Sequence, residues 1–179
     1  MNKINTIAVL GLGPSLSLFT PEQGVQLSYD YTIGVNDIWR YVRTNAVVCL
    51  DHRKAFTFER MAIIDHCTPD TFYSQIINYD TREDFQLIKL TKTFPDTFCN
   101  LDIPEINKSL CSPFVACGIA WKFYSPKEIH VYGVDLIQHS NLDLKMRERI
   151  KKHFINLKFA LLQKGCKLII HGDGILKSI

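Results

Sequence analysis

The sequence predicts an α/β domain built on a mostly parallel sheet, and three observations carry that prediction. Ile7-Ala8-Val9-Leu10 is a short apolar run ending in Gly11-Leu12-Gly13-Pro14-Ser15, the pattern of a buried parallel strand that turns into a helix. Tyr31 to Asn36 and Ala46 to Asp51 repeat it with helical spacing between them, so the chain up to Asp51 reads strand, helix, strand, helix, strand. The last third alternates again, from Ile129-His130-Val131-Tyr132 through a long amphipathic stretch to Lys167-Leu168-Ile169-Ile170. Right-handed crossovers then give a single-domain, Rossmann-like fold with helices on both faces, and ligands lie beyond the carboxyl ends of the strands.

With 179 residues the chain suits one domain, 1–179, with a sizeable core. Hydrophobic residues at 46% and charged residues at 22% are ordinary for a soluble globular protein and argue against disorder. A net charge of +3, with Lys151-Lys152 in a mixed-charge stretch, argues against a nucleic-acid partner. No apolar run approaches the ~20 residues of a membrane span. Met1 to Asn5 leads straight into the first strand without a signal-peptide pattern, so a cytoplasmic protein is expected. Six cysteines without a Cys-x-x-Cys pair, several in apolar stretches, read as reduced core thiols.

Thr20-Pro21-Glu22 reads as the start of a short helix reaching about Ser28. Asn36 or Asp37 can cap a helical segment from Ile38 to Arg43. Lys54 to Ile64 has helical spacing, and Phe72 to Ile77 reads as a fourth strand. Residues 80–111 lack clean periodicity over most of their length and are read as a loop-rich insertion, with room for short strands. Ser112-Pro113 opens a helix whose apolar stripe is Val115, Ile119, Ala120 and Phe123. The final helix runs from about Leu142 to Lys164, closed by Gly165. Trp39-Arg40-Tyr41 and Trp121-Lys122-Phe123 fall at helical positions and read as core packing.

The turn Gly11 to Ser15 is the expected anion site. Glycines without a Cβ let a ligand approach the backbone N–H groups, and Ser15 can cap the helix whose positive end would favour phosphate. A dinucleotide fingerprint is excluded because Leu16 stands where a third glycine is needed, and a Walker loop because no Gly-Lys-Ser/Thr follows. One nucleotide with a mono- or diphosphate is the implied ligand. Ser15, Asn36 and Asp51 end three successive strands and should converge on it. Asp51-His52-Arg53 offers an acid, a titratable ring and a phosphate-binding fork, or a polar turn. Asp135, after a strand and a glycine, either coordinates Mg²⁺ on a diphosphate or, the preferred reading, caps the next turn. His171-Gly172-Asp173-Gly174 closes the last strand either as a turn or as a wrap around a base or ribose. His66, His130 and His153 lack the paired spacing of metal ligands, so no metal site is expected.

Several separated pieces together resemble one family. Gly11-Leu12-Gly13-Pro14-Ser15, Val35-Asn36, the helix start at Ser112, Tyr132-Gly133-Val134-Asp135, His139-Ser140 and the segment from Cys166 to Ile179 resemble, in that order, bacterial sialyltransferases that use CMP-sialic acid. The Gly-x-Gly-Pro-Ser and Gly-Val-Asp-Leu pieces also resemble a related group of motility-accessory sugar transferases and archaeal 6-hydroxymethyl-dihydropterin pyrophosphokinase. The resemblance implies that Gly11, Gly13, Pro14 and Ser15 face phosphate and ribose, that Asn36 bonds the nucleotide, and that Ser112 touches the donor. His139 is then the counterpart of the family's base. It would take the proton of an acceptor hydroxyl, on a glycan or small molecule, as that oxygen displaces CMP without a metal.

Three departures stand against this likeness. Leu12 replaces the family's asparagine between the two glycines. Only three residues separate Asp135 from His139, where the transferases carry a lid with tyrosines, so water exclusion and leaving-group stabilisation would have to come from elsewhere, including a neighbouring subunit. The proline-and-serine segment after the last strand is replaced by His171-Gly172-Asp173-Gly174. Two alternatives follow. One is a pyrophosphokinase using ATP, Mg²⁺ and carboxylates such as Asp51 and Asp135. The other is a nucleotide- or sugar-binding module that has no lid and does no catalysis.

Overall fold

The computed structural model describes residues 3–19, 28–51, 57–59, 62, 66, 69–75, 84–136 and 142–179. Among them, seven strands form one parallel sheet: β1 (Thr6–Leu10), β2 (Tyr31–Val35), β3 (Ala46–Val48), β4 (Thr71–Ser74), β5 (Phe85–Leu87), β6 (Glu128–Tyr132) and β7 (Lys167–Ile170). Their spatial order is β5-β4-β3-β2-β1-β6-β7, with every pair parallel. The chain therefore winds outward from β1 through β2 to β5, then returns to the other side of β1 as β6 and β7. That reversal, between β1 and β6, is a topological switch point. Leu10 is level with Gly34 of β2 and with Tyr132 of β6, so three strands deliver their following residues to one rim.

Strands buried on both faces need apolar residues at every position, which is why they read as continuous runs. Ile7, Val9, Ile33, Val35, Val48, Ile129 and Val131 face two helices, α1 (Ser112–Tyr124) and α2 (Leu144–Gln163). Ala8, Leu10, Val47, Phe72 and Tyr132 face the other way, against Leu16, Phe19 and Ile38. Helical segments thus lie on both faces, but among the described residues both long ones are on one side. The other side carries the 3-10 helices Pro14–Leu18 and Ile38–Arg40.

α1 has Pro113 in its first turn and buries Phe114, Val115, Cys117, Ile119 and Ala120; Phe123, expected in the stripe, is exposed and stacks at its edge on Tyr73. α2 buries Ile150, Phe154, Leu157 and Leu161, one stripe of a 3.6-residue helix. The Asp143 carboxylate caps it by accepting from the Met146 N–H at 2.7 Å, and Gly165 follows at φ 78°.

The segment expected to be helical from Ile38 to Arg43 shortens to one 3-10 turn, because the N–H groups of Tyr41 and Val42 both return to the Ile38 carbonyl and Thr44 accepts the Trp39 indole N–H at 3.0 Å. The stretch read as a loop-rich insertion supplies, from residue 84 on, the edge strand β5 and the core residues Ile88, Cys99 and Ile106. The helix expected from Thr20, and most of Lys54 to Ile64, lie outside the described residues. Cys49, Cys99, Cys111, Cys117 and Cys166 are buried free thiols, and burial pushes Cys99, Cys111 and Cys166 up to about 12. No helix among the described residues is long and apolar enough to cross a membrane.

The loops after β1 and β6 cross with their backbones in contact. A Cβ on Gly133 would strike the carbonyl of Gly11, and Gly133 itself sits at φ 67°. Gly133→Ala is therefore expected to cost about 3 kcal/mol or more, as strain and overpacking add. Gly165→Ala, left-handed but facing open space, should cost only about 1 kcal/mol, and urea unfolding of the two variants checks the difference.

Candidate functional site

A cavity of about 620 Å³ opens at the switch point, beyond the carboxyl ends of β1, β2, β3 and β6. Its walls come from Leu12, Gly13 and Pro14 after β1, Val35 and Asn36 at the end of β2, and Asp51 after β3. Leu110 to Pro113 at the head of α1, Gly133 to Leu136 after β6, and Leu142 complete it. The volume suits a small organic ligand. Apart from two carboxylates, Asn36 and Ser112, the described lining is largely apolar, and it holds no Lys or Arg.

One carboxylate organises the floor. Asp135, only 5% exposed, accepts the Ser15 N–H and the Ser15 hydroxyl at 2.9 Å each, both through Oδ2. The same Ser15 Oγ accepts the Gly133 N–H at 2.9 Å, so the loops after β1 and β6 are tied at one buried point. Ile175 donates its N–H to the Asp135 carbonyl at 3.2 Å, and Gly172 passes so close to Ser15 that a Cβ there would overlap it. Three chain segments therefore meet on the Ser15–Asp135 pair. The described bonds of the Asp135 side chain run to Ser15, a residue 120 positions away.

This junction takes up several backbone donors of the glycine turn. Gly11 donates to the Tyr132 carbonyl and Gly13 to the Gly133 carbonyl at 2.8 Å each; Leu16 donates to Gly13 at 3.0 Å; Pro14 has no N–H. With Ser15 bound to Asp135, the N–H groups of Gly11, Gly13, Ser15 and Leu16 are all taken up inside the protein. Ser15 makes no cap to the following segment, which is a five-residue 3-10 helix with Gly13 as its N-cap. The glycines here permit close packing of backbones, while Gly13 and Pro14 still line the cavity.

Asn36 stands out against this saturation. Its Oδ1 is buried with no hydrogen-bond partner, and its backbone is left-handed at φ 52°. A buried acceptor left unpaired costs about 1–3 kcal/mol, and asparagine tolerates the left-handed region better than most residues. Leu136, which also lines the cavity, is left-handed at φ 56°, where a leucine is strained by about 1–2 kcal/mol. Two cavity-lining residues, Asn36 and Leu136, are thus held in left-handed backbone, and one of them carries a buried polar atom without a partner.

The remaining predicted residues separate into two groups. Asp51 and Ser112 line the cavity, Asp51 from the exposed end of β3 and Ser112 from the first turn of α1. His171 does not. Its ring lies flat on Tyr132, 4.1 Å between centroids and 2° from parallel, on the sheet face opposite α1 and α2. His139 lies outside the described residues, as do His52 and Arg53; in sequence His139 stands between Leu136 and Leu142, both of which line the cavity.

Sequence reasoning passed over the fastening of α1. His153 is fully buried between Phe94 and Phe114, with Nε2 3.1 Å from the Asp96 carboxylate and Nδ1 3.0 Å from Ser109 Oγ. A carboxylate can only accept, so Nε2 carries the proton and Ser109 donates to Nδ1 while accepting the Cys111 N–H at 3.3 Å. Asp96 also takes both arms of Arg149 at 2.5 Å, which holds its carboxyl well below the usual range. The connectivity matches a Ser-His-Asp triad, but an inaccessible imidazole suits it to holding the Leu110–Cys111 wall. Only the spatial meeting of residues 96, 109 and 153 reveals it; their spacing carries no signal.

No protein-family model matches the chain, and no curated protein or solved structure resembles it at a significant level. The site's own geometry therefore carries the functional argument.

Ser15→Ala removes the hydroxyl and leaves the Gly133 N–H without its acceptor. A loss of about 2–4 kcal/mol is expected, against less than about 0.5 kcal/mol for Ser17→Ala, whose hydroxyl is exposed and bonds only the Pro14 carbonyl. Chemical denaturation of both variants is the check.

Proposed function

We propose that the cavity binds a nucleotide or a nucleotide-activated sugar of the CMP-sialic-acid type, and that the protein transfers the sugar to a hydroxyl acceptor. The observation that carries this reading is Asn36, which lines a 620 Å³ cavity at the switch point of a parallel sheet and whose buried Oδ1 has no hydrogen-bond partner. A buried acceptor asks for an N–H or O–H donor. Phosphate at neutral pH has none to offer, whereas an amino group of a base or a sugar hydroxyl does. The apolar remainder of the wall, from Leu12, Val35, Leu110 and Leu136, suits the face of a base or ribose. Phosphate then falls to the start of α1 at Ser112, since the N–H groups of Gly11, Gly13, Ser15 and Leu16 are already spent. Glycosyl transfer rests on the sequence resemblance, with His139 as the proposed base.

Calorimetric titration with CMP, CDP, UDP, GDP and ATP, each with and without Mg²⁺, tests the ligand. Saturable binding of CMP that does not need metal is the expected result. ATP binding that requires Mg²⁺ would replace the reading with pyrophosphoryl transfer, and no binding of any nucleotide would end it. Asn36→Gly keeps the left-handed backbone and removes the amide, so affinity should fall about tenfold or more while stability holds. Unchanged affinity would remove Asn36 from the site. In a turnover assay with CMP-sialic acid and a sugar acceptor, His139→Ala should lose activity and keep nucleotide affinity.

A further inference from the structure

The sheet face opposite α1 and α2 carries a second polar cluster, which the cavity does not use. His130 on β6 and His171 just after β7 meet with Nδ1 and Nε2 3.0 Å apart. The rings are 14° from parallel with centroids 5.3 Å apart, the separation of two imidazoles set end to end along an N–H···N bond. Glu128 Oε2 lies 3.3 Å from His130 Nε2. A carboxylate only accepts, so His130 carries its proton on Nε2, Nδ1 is the acceptor, and His171 donates from Nε2. The protons thus run in one direction, from His171 through His130 to Glu128.

The neighbours fix this arrangement from each element. From β6, Tyr132 stacks on His171; from the segment before β2, Tyr29 tilts over His130 at 5.0 Å and its hydroxyl meets that of Tyr132 at 2.5 Å. From β7, Lys167 reaches Glu128 Oε1 at 3.5 Å, and beyond His171 the Asp173 carboxylate pairs with Lys177. Lys167 pairs with Glu128 and Lys177 with Asp173, and from the cavity floor the Asp135 carboxylate faces Gly172. Next in the chain is Gly172, packed against Ser15 and Asp135, then Gly174 against the Asp135 backbone.

We propose that Glu128, His130 and His171 form a proton-sensitive latch: at neutral pH it holds the 171–174 turn against the Ser15–Asp135 floor of the cavity, and double protonation in acid releases it. One added proton is tolerated, because the chain keeps its hydrogen bond with a positive charge near Glu128. A second leaves two N–H groups facing across 3.0 Å, and the bond becomes a repulsion. Burial, with His130 alongside, lowers the His171 pKa, so the folded state favours the neutral ring. Its contribution to stability is complete above the ordinary histidine pKa of about 6.5 and is lost as pH falls below it. This inference does not depend on what fills the cavity.

Hydrogen exchange read by mass spectrometry between pH 7.5 and 5, corrected for the intrinsic pH dependence of exchange, tests it. Peptides covering 171–176 and 12–16 should exchange about tenfold faster at the acid end, and His130→Asn should abolish that increase. His153→Gln, which alters the other buried histidine, should leave it in place. An unchanged rate in the wild type, or an increase confined to 94–111 and α2, would overturn the proposal, and those wild-type results decide the matter even if a variant fails to fold. Persistence of the acid response in folded His130→Asn would overturn it equally.

Discussion

A carboxylate at the rim of the sheet, 5% exposed, accepts two hydrogen bonds from one serine, and three loops of this protein are held by that contact. Ser15 can present its N–H and its hydroxyl to Asp135 only if the chain after β1 runs directly over the chain after β6. That crossing demands glycine at 11 and 133, where the backbones touch. The crossing in turn takes up the N–H groups of Gly11, Gly13, Ser15 and Leu16, and the turn forms the cavity floor. What remains for a ligand is the opposite wall, where Asn36 and Leu136 are held in left-handed backbone and the Asn36 carbonyl oxygen has no partner. Stability is concentrated at one side of the cavity and strain at the other.

The fold was legible because parallel strands announce themselves. Ile7 to Leu10, Ile33 to Val35, Ala46 to Val48 and Ile129 to Tyr132 are apolar on both faces, and their short length and flanking turn residues separate them from buried helix. Pro113 and Gly165 mark the start of α1 and the end of α2 for equally local reasons. β5 was not legible, since Phe85-Gln86-Leu87 is an edge strand whose residues are half-buried or exposed. The site was legible only in part. That Asn36, Asp51 and Ser112 share one rim follows from strand order. The loss of Ser15 to Asp135 does not, because it joins residues 120 positions apart. The side taken by His171 is a matter of strand parity: Leu168 packs with the helix-side core, so residues 167, 169 and 171 point the other way.

The same parity gives the protein two chemically different faces at one end of its sheet. On the helix side lies a largely apolar cavity lined by Asn36, Asp51 and Asp135. On the other, two histidines and two tyrosines form a closed hydrogen-bonded and stacked set. Gly172 and Ser15 are the contact between them. The buried Asp96–His153–Ser109 chain plays a comparable part for the head of α1, fixing Cys111 through its N–H. Two walls of the cavity, the Ser15–Asp135 floor and the head of α1, thus lean on a polar network behind them.

The most direct test of this account is chemical-shift mapping of the isotope-labelled protein as CMP is added. The account predicts saturable shifts at the Asn36 side-chain amide and at the backbone of Ser112 and Leu136, with the imidazoles of His130 and His171 unmoved. Saturable shifts centred on His171 and Tyr132, with the cavity residues still, would contradict it.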